Sequence, residues 1–257
     1  MIPLVKTNIP PKDKLLPELE KILYSGYVAQ GDKVEAFERA FEKYVKGKNA
    51  LSLNSGTAAL HIALILANVK KGDEVISTPL TAEPTNVAIK MTGAFIRWAD
   101  IDYKTGCIDP ISVEKNVNEK TRAIIAVDYA GIPVNVTQLQ KISTKYNIPI
   151  IEDAAHALGS KFNNILAGGH FPFTVFSFQA IKHLTTIDGG ILQITDKDLY
   201  EKGKLIRWFG IDKMQTRLGN DIKIQGYKYH MNNVNATIGL IQLDDINITI
   251  DKHISNG

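Results

Sequence analysis

Cysteine is nearly absent from this chain: Cys107 is the only one in 257 residues. That excludes an internal disulfide and any multi-cysteine metal site. No stretch approaches the roughly 18 consecutive apolar residues of a membrane span. The start, Met1-Ile-Pro-Leu-Val-Lys-Thr7, also lacks the charged-then-apolar order of a secretory leader. A cytoplasmic protein with no membrane partner is therefore expected. An excess of one charge is missing too, with 30 Lys and Arg against 27 Asp and Glu, a formal net of +3. The cations are scattered rather than gathered in a stripe, which argues against a nucleic-acid partner. There is no GxxxxGK[ST] phosphate loop, no internal repeat and no low-complexity linker. What remains is a globular composition, 44% hydrophobic and 22% charged, long enough to bury the core of one large domain.

Strand and helix patterns alternate along the chain. A first helix is expected over 15–24, then a glycine-bounded loop over 26–32. Val34, Phe37, Phe41 and Tyr44 recur at spacings of three and four, predicting an amphipathic helix with Glu35, Glu38 and Lys43 outward. Short apolar runs predict strands at 49–53, 74–78, 94–99, 123–127, 148–152, 173–178 and 190–194. Helical patterns lie between or after them, through 67 and over 83–91, 111–117, 136–146, 199–209 and 231–245. About seven strands alternating with helices predict an α/β domain on a mostly parallel sheet. Ligands of such sheets bind beyond the carboxyl ends of the strands. The expected organisation is an N-terminal arm and loop (1–33), a large ligand-binding domain (34–245) and the start of a C-terminal region (246–257).

The stretch Thr174-Val-Phe-Ser-Phe-Gln-Ala-Ile-Lys-His-Leu-Thr-Thr-Ile-Asp-Gly-Gly190 carries the chemistry. Lys182 follows an apolar strand, where lost hydration lowers an amine's pKa towards a nucleophilic free base. Such amines condense with carbonyls, above all with pyridoxal phosphate. A lone lysine after a strand is more often a solvated surface charge, so its partners decide the matter. That cofactor needs a carboxylate for its ring nitrogen and donors for its phosphate. Asp153, delivered by the 148–152 strand, is the candidate carboxylate; the plainer reading is an aspartate capping the next helix. His156, three residues on, would share a side of a helical turn with it and reach the phenolic oxygen; otherwise it is simply packed. Gly56, Thr57 and Ser177 are candidates for the phosphate. At Ser55-Gly56-Thr57 a strand turns into a helix whose free N–H groups favour an anion, although Ser55 or Thr57 serves equally as a plain N-cap.

Four motifs in order, Ser-Gly-Thr (55–57), Glu-Asp-Ala-Ala-His (152–156), Phe-Ser-Phe-x-x-x-Lys (176–182) and Gly-Tyr-Lys-Tyr-His-Met (226–231), resemble the DegT-type nucleotide-sugar aminotransferases. The resemblance runs from about Gly26 to the end of the chain. It implies the large domain of a fold type I pyridoxal phosphate enzyme, with most of the smaller C-terminal domain absent from this sequence. It implies Lys182 as the lysine that holds the aldehyde and shuttles protons. Asp153 would face the pyridine nitrogen, His156 the phenolic oxygen, and Gly56, Thr57 and Ser177 the phosphate. The expected substrates are glutamate and a nucleotide-linked ketodeoxysugar, in polysaccharide or glycan synthesis. Homodimers with sites at the subunit interface are implied too, Lys228 and His230 approaching the phosphate or substrate in trans. The alternatives are a pyridoxal phosphate-dependent nucleotide-sugar dehydratase and a non-catalytic binding or regulatory module. Dehydratase relatives carry histidine in place of the lysine, so Lys182 favours amine transfer. One departure stands out: Ala82 occupies the place where many relatives set an aromatic over the cofactor ring. Gln30, Glu83, His183 and Arg207 are further polar residues that substrate could touch, each with a structural or surface role as the plainer reading.

Overall fold

The computed structural model describes residues 7–216 and 218–256. Helices α1 (Lys12–Leu23) and α2 (Asp32–Val45) come first. The predicted stripe of α2 is in place, with Val34, Phe37 and Phe41 fully buried. Glu35 and Lys43 are exposed, but Glu38, expected outward with them, is buried. Its burial follows from a partner far along the chain, Arg207, whose guanidinium it receives at 2.6 Å.

Strand β1 (Ala50–Leu53) turns directly into α3 (Gly56–Leu66). The alternation then runs β2 (Glu74–Ser77), α4 (Glu83–Met91), β3 (Phe95–Trp98), α5 (Pro110–Asn116), β4 (Thr121–Val127), α6 (Val136–Tyr146) and β5 (Ile150–Asp153). A short hairpin, β6 (Lys161–Phe162) with β7 (Ile165–Leu166), precedes β8 (Phe173–Ser177) and β9 (Gly190–Ile194). Helices α7 (Lys197–Arg207), α8 (Asn233–Asp244) and α9 (Ile246–Asn256) follow. The hairpin and α9 are additions to the sequence reading. The hairpin's local signal is Asn163-Asn164, both at positive φ (48° and 64°), a two-residue turn geometry that asparagine tolerates.

Seven strands form one sheet in the order β1-β9-β8-β5-β4-β2-β3. From β8 to β3 every neighbouring pair is parallel. Only β9 runs the other way, antiparallel to both β8 and β1. The carboxyl ends of β1, β4, β5 and β8 therefore share one edge. The register Val127↔Asp153↔Val175 sets three of these tips level. Alternation along the strands sends Ile125, Val127 and Ile151 to the α3 side of the sheet. Ile124, Ala126 and Ile150 go to the side packed with Val113, Leu139 and Ile142 of α5 and α6. Among the described residues no helix is long and apolar enough to cross a membrane.

Candidate active site

Beyond those strand ends lies a cavity of 480 Å³. Its wall brings together Gly56, Thr57, Asp153, His156, Ser177 and Lys182, residues drawn from points well apart in the sequence.

The start of α3 forms the part suited to an anion. Ser55 is the N-cap, its hydroxyl accepting the Ala58 N–H at 3.1 Å, so for Ser55 the capping reading holds. Thr57 lies in the first turn and lines the cavity. First-turn N–H groups such as those of Gly56 and Thr57 have no acceptor within the helix, and the helix end adds partial positive charge. Gly56 lets the tip of β8 come close: a Cβ there would stand 3.1 Å from Ser177 Cβ and 3.3 Å from its Oγ.

Asp153 is 4% exposed and does not cap a helix. The chain turns instead, Ala157 N–H donating to Ala154 O at 2.9 Å, and Asp153 Oδ1 accepts the Ala155 N–H at 3.2 Å within that turn. His156 thus reaches the cavity from a turn rather than from the expected helical turn. Asp153 Oδ2 accepts the Thr85 hydroxyl at 2.7 Å. Because that donation uses the only proton of Thr85, the Thr81 hydroxyl must be the donor in the 2.8 Å contact between the two threonines. Burial pushes the Asp153 carboxyl up, while Thr85, the Ala155 N–H, His156 and Lys182 pull it back. Thr81 and Thr85 were missed in the sequence; the only signal is their four-residue spacing at the start of a predicted helix.

Lys182 is half-buried in the loop between β8 and β9, and desolvation lowers its ammonium pKa against the opposing charge of Asp153. His156 is lowered by desolvation first and by the Lys182 charge next, which favours a neutral imidazole. The strand leading to Lys182 is anchored by aromatic packing on α2: the Phe178 ring lies 5.5 Å from Phe37 and 5.6 Å from Phe41, and Phe176 lies 5.0 Å from Phe41. The far side of the loop is tied down by Thr185 Oγ1, which donates to Phe178 O at 3.0 Å, and by Asn235 Nδ2, which donates to Asp188 O at 2.9 Å.

The remaining sequence candidates have varied fates. Ala82 and Glu83 are exposed on the cavity wall. Gln30 accepts from Lys213 Nζ at 2.7 Å, His183 Nε2 lies 2.9 Å from Leu158 O, and Arg207 is buried on Glu38. Lys228 and His230 stand outside the cavity of their own chain. Lys228 is exposed, its carbonyl accepting Asn54 Nδ2 at 3.2 Å. The His230 ring packs edge-on against Trp208 at 4.0 Å, with Nδ1 unpartnered. Its pKa is pushed down to about 4, by desolvation and then by Lys213, Arg207 and Lys228. No cluster of three or more metal-binding side chains occurs among the described residues.

A buried carboxylate, an amine of lowered pKa and an anion cradle on one cavity fit pyridoxal phosphate, and define a site of the class that uses it. The chain belongs to the DegT/DnrJ/EryC1/StrS aminotransferase family, whose pattern it matches over residues 11–256. Enzymes of this family depend on pyridoxal phosphate. An uncharacterized protein of Methanocaldococcus jannaschii, MJ1066, is 39% identical over 233 residues, covering 88% of this chain and 60% of that protein. The chain thus spans about 60% of the length of this curated relative. Among solved structures, AtS13 from Actinomadura melliaura superimposes with a TM-score of 0.92 at 39% identity, covering 96% of this chain and 68% of the other. The sugar aminotransferase CalS13 from Micromonospora echinospora gives 0.91 at 34% identity, over 96% and 69%.

Proposed function

We propose that this chain is a pyridoxal phosphate-dependent aminotransferase that moves an amine from glutamate to a keto group of a nucleotide-linked deoxysugar, for glycan synthesis. The observation that carries the reading is the convergence of Lys182, Asp153 and the Gly56-Thr57-Ser177 cradle on one cavity. When bound, the cofactor supplies an electron-accepting ring and a temporary carrier for the amino group. Asp153 would face the ring nitrogen and keep it protonated. The N–H groups of Gly56 and Thr57, with the Thr57 and Ser177 hydroxyls, would hold the phosphate. Lys182 Nζ, whose ammonium pKa is lowered by partial burial, would take a proton from the donor's amine-bearing carbon and give it back, as general base and then acid. His156 would present its imidazole to the phenolic oxygen. In this reading the protein works as a homodimer, and Lys228 and His230 lie outside their own cavity because they serve the partner's.

The purified chain, mixed with pyridoxal phosphate and then with glutamate and a panel of nucleotide ketosugars, tests the proposal. A visible absorbance band of lysine-linked cofactor and mass-identified aminosugar are expected, and Lys182→Ala should lose both. Amine transfer that survives Lys182→Ala would overturn the reading. A dehydrated product without nitrogen would point instead to the dehydratase chemistry.

A further inference from the structure

On the face of the sheet opposite Asp153, two more carboxyl groups are buried together. Asp128 and Glu152 are each 1% exposed. Alternation puts Asp128, just past β4, on the same side as Ala126, and puts Glu152 on the same side as Ile150. Nearby donors are already assigned. The Val134 N–H donates to Asp128 Oδ1 at 3.0 Å, and Glu152 Oε2 accepts from the Gly168 N–H at 3.1 Å and the Thr174 hydroxyl at 2.7 Å. Among the described residues Asp128 Oδ2 is buried with no donor, and the register Ala126↔Glu152 makes Asp128 the diagonal neighbour of Glu152 on the same face. Two ionised carboxylates offer only acceptors, so neither can supply the donor that Oδ2 lacks. One proton between them supplies it as a short O–H···O⁻ bond.

We propose that Asp128 carries a proton shared with Glu152, and that this acid pair is a positioning device for the cavity wall. It fastens the turn 128–134, which presents Tyr129 to the cavity, to the strand that presents Asp153. It also leaves Asp153 beside one negative charge rather than two. Loss of the proton would set two buried anions side by side and loosen the Tyr129 wall. Burial, then the Glu152 charge, pushes Asp128 up to about 8, with Asp153 adding to the rise. The other titratable groups facing the pair are His170, which favours the ionised Glu152, and the Cys107 thiol beside Asp128. For an acid whose folded pKa is raised, the folded state holds more protons than the unfolded one between the two values. Stability therefore falls as pH rises from the unfolded value towards about 8.

Two measurements on the cofactor-free chain decide the matter. Infrared spectra at neutral pH should show the carbonyl stretch of a buried protonated carboxyl group, shifted in D2O and absent from Asp128→Asn. Melting points between about pH 5 and about pH 9 should fall in the wild type and fall much less in Asp128→Asn, whose amide donates to Glu152 at every pH. Asp128→Ala, with no donor, should melt lower throughout. A missing carboxyl band, or an unchanged pH slope in Asp128→Asn, would overturn the proposal. If Asp128→Asn does not fold, Glu152→Gln, whose amide can donate to an ionised Asp128, should lose the band instead, and a band that stays would overturn the proposal. Neither readout involves pyridoxal phosphate, so failure here leaves the aminotransferase reading standing, and the reverse.

Discussion

Asp153 can hold a charge at 4% exposure only because donors have been brought to it. One is the backbone N–H of Ala155 in its own turn; the other is Thr85, 68 positions earlier in the chain. Thr85→Val keeps the shape of the side chain and removes the hydroxyl, leaving Oδ2 without its partner and Thr81 without its acceptor. A hydrogen bond to a charged group contributes about 1.5–3 kcal/mol, so pyridoxal phosphate affinity should drop roughly 10- to 100-fold. Thr85→Ser, which retains the donor, should stay near wild type. Fluorescence titration of the two variants separates these outcomes, and equal affinities would remove Thr85 from the site. At this scale the sequence was half legible. Lys182 and Asp153 announce themselves because apolar strands end beside them, a pattern visible in consecutive residues. Thr85 gives no such sign, since a threonine in a helix's first turn is commonplace and its partner is set only by the sheet.

Elements are joined by one buried ion pair. Arg207 Nη1, near the end of α7, donates to Glu38 Oε1 of α2 at 2.6 Å and to Ser52 O of β1 at 2.9 Å. Glu38 Oε1 also receives the Ser52 N–H at 2.9 Å and its hydroxyl at 2.7 Å. Three elements thus share one charge centre, behind the strand that leads into the Gly56-Thr57 cradle. Removing one member leaves the other charge buried and unpaired, which costs about 3–5 kcal/mol. Glu38→Ala should lower the free energy of unfolding by about that amount, read from urea denaturation at constant slope. Replacing both charges, as Glu38→Leu with Arg207→Met, should recover most of the loss. The helical stripe made Phe37 and Phe41 readable as core. The same stripe misplaced Glu38, because hydrophobic periodicity treats every carboxylate as solvent-facing, and only the tertiary pairing with Arg207 overrides it.

For the molecule as a whole, the alternating pattern implied a mostly parallel sheet but not which strand would be reversed. Direction is set by connections: a parallel neighbour needs a long crossover, usually a helix, whereas the segment joining β8 to β9 is the loop bearing Lys182, with no helix in it. That reversal seats the first residue of β9, Gly190, between Leu53 at the tip of β1 and Ser177 at the tip of β8. It lies directly against the start of α3: a Cβ on Gly190 would stand 2.7 Å from Gly56 N and 2.7 Å from Ser55 C and O. These are backbone atoms and cannot swing aside. Gly190→Ala should therefore push the first turn of α3 away from Ser177 and spoil the phosphate cradle while leaving Lys182 and Asp153 in place. A ligand present at about 100 times its Kd stabilises the folded state by about 2.7 kcal/mol, so wild-type protein should melt several degrees higher with saturating pyridoxal phosphate. Gly190→Ala should melt lower without cofactor and lose most of that upward shift at the same cofactor concentration. A variant that keeps the full shift relative to its own cofactor-free melting point would show that the phosphate is held somewhere other than the junction of β1, β8, β9 and α3.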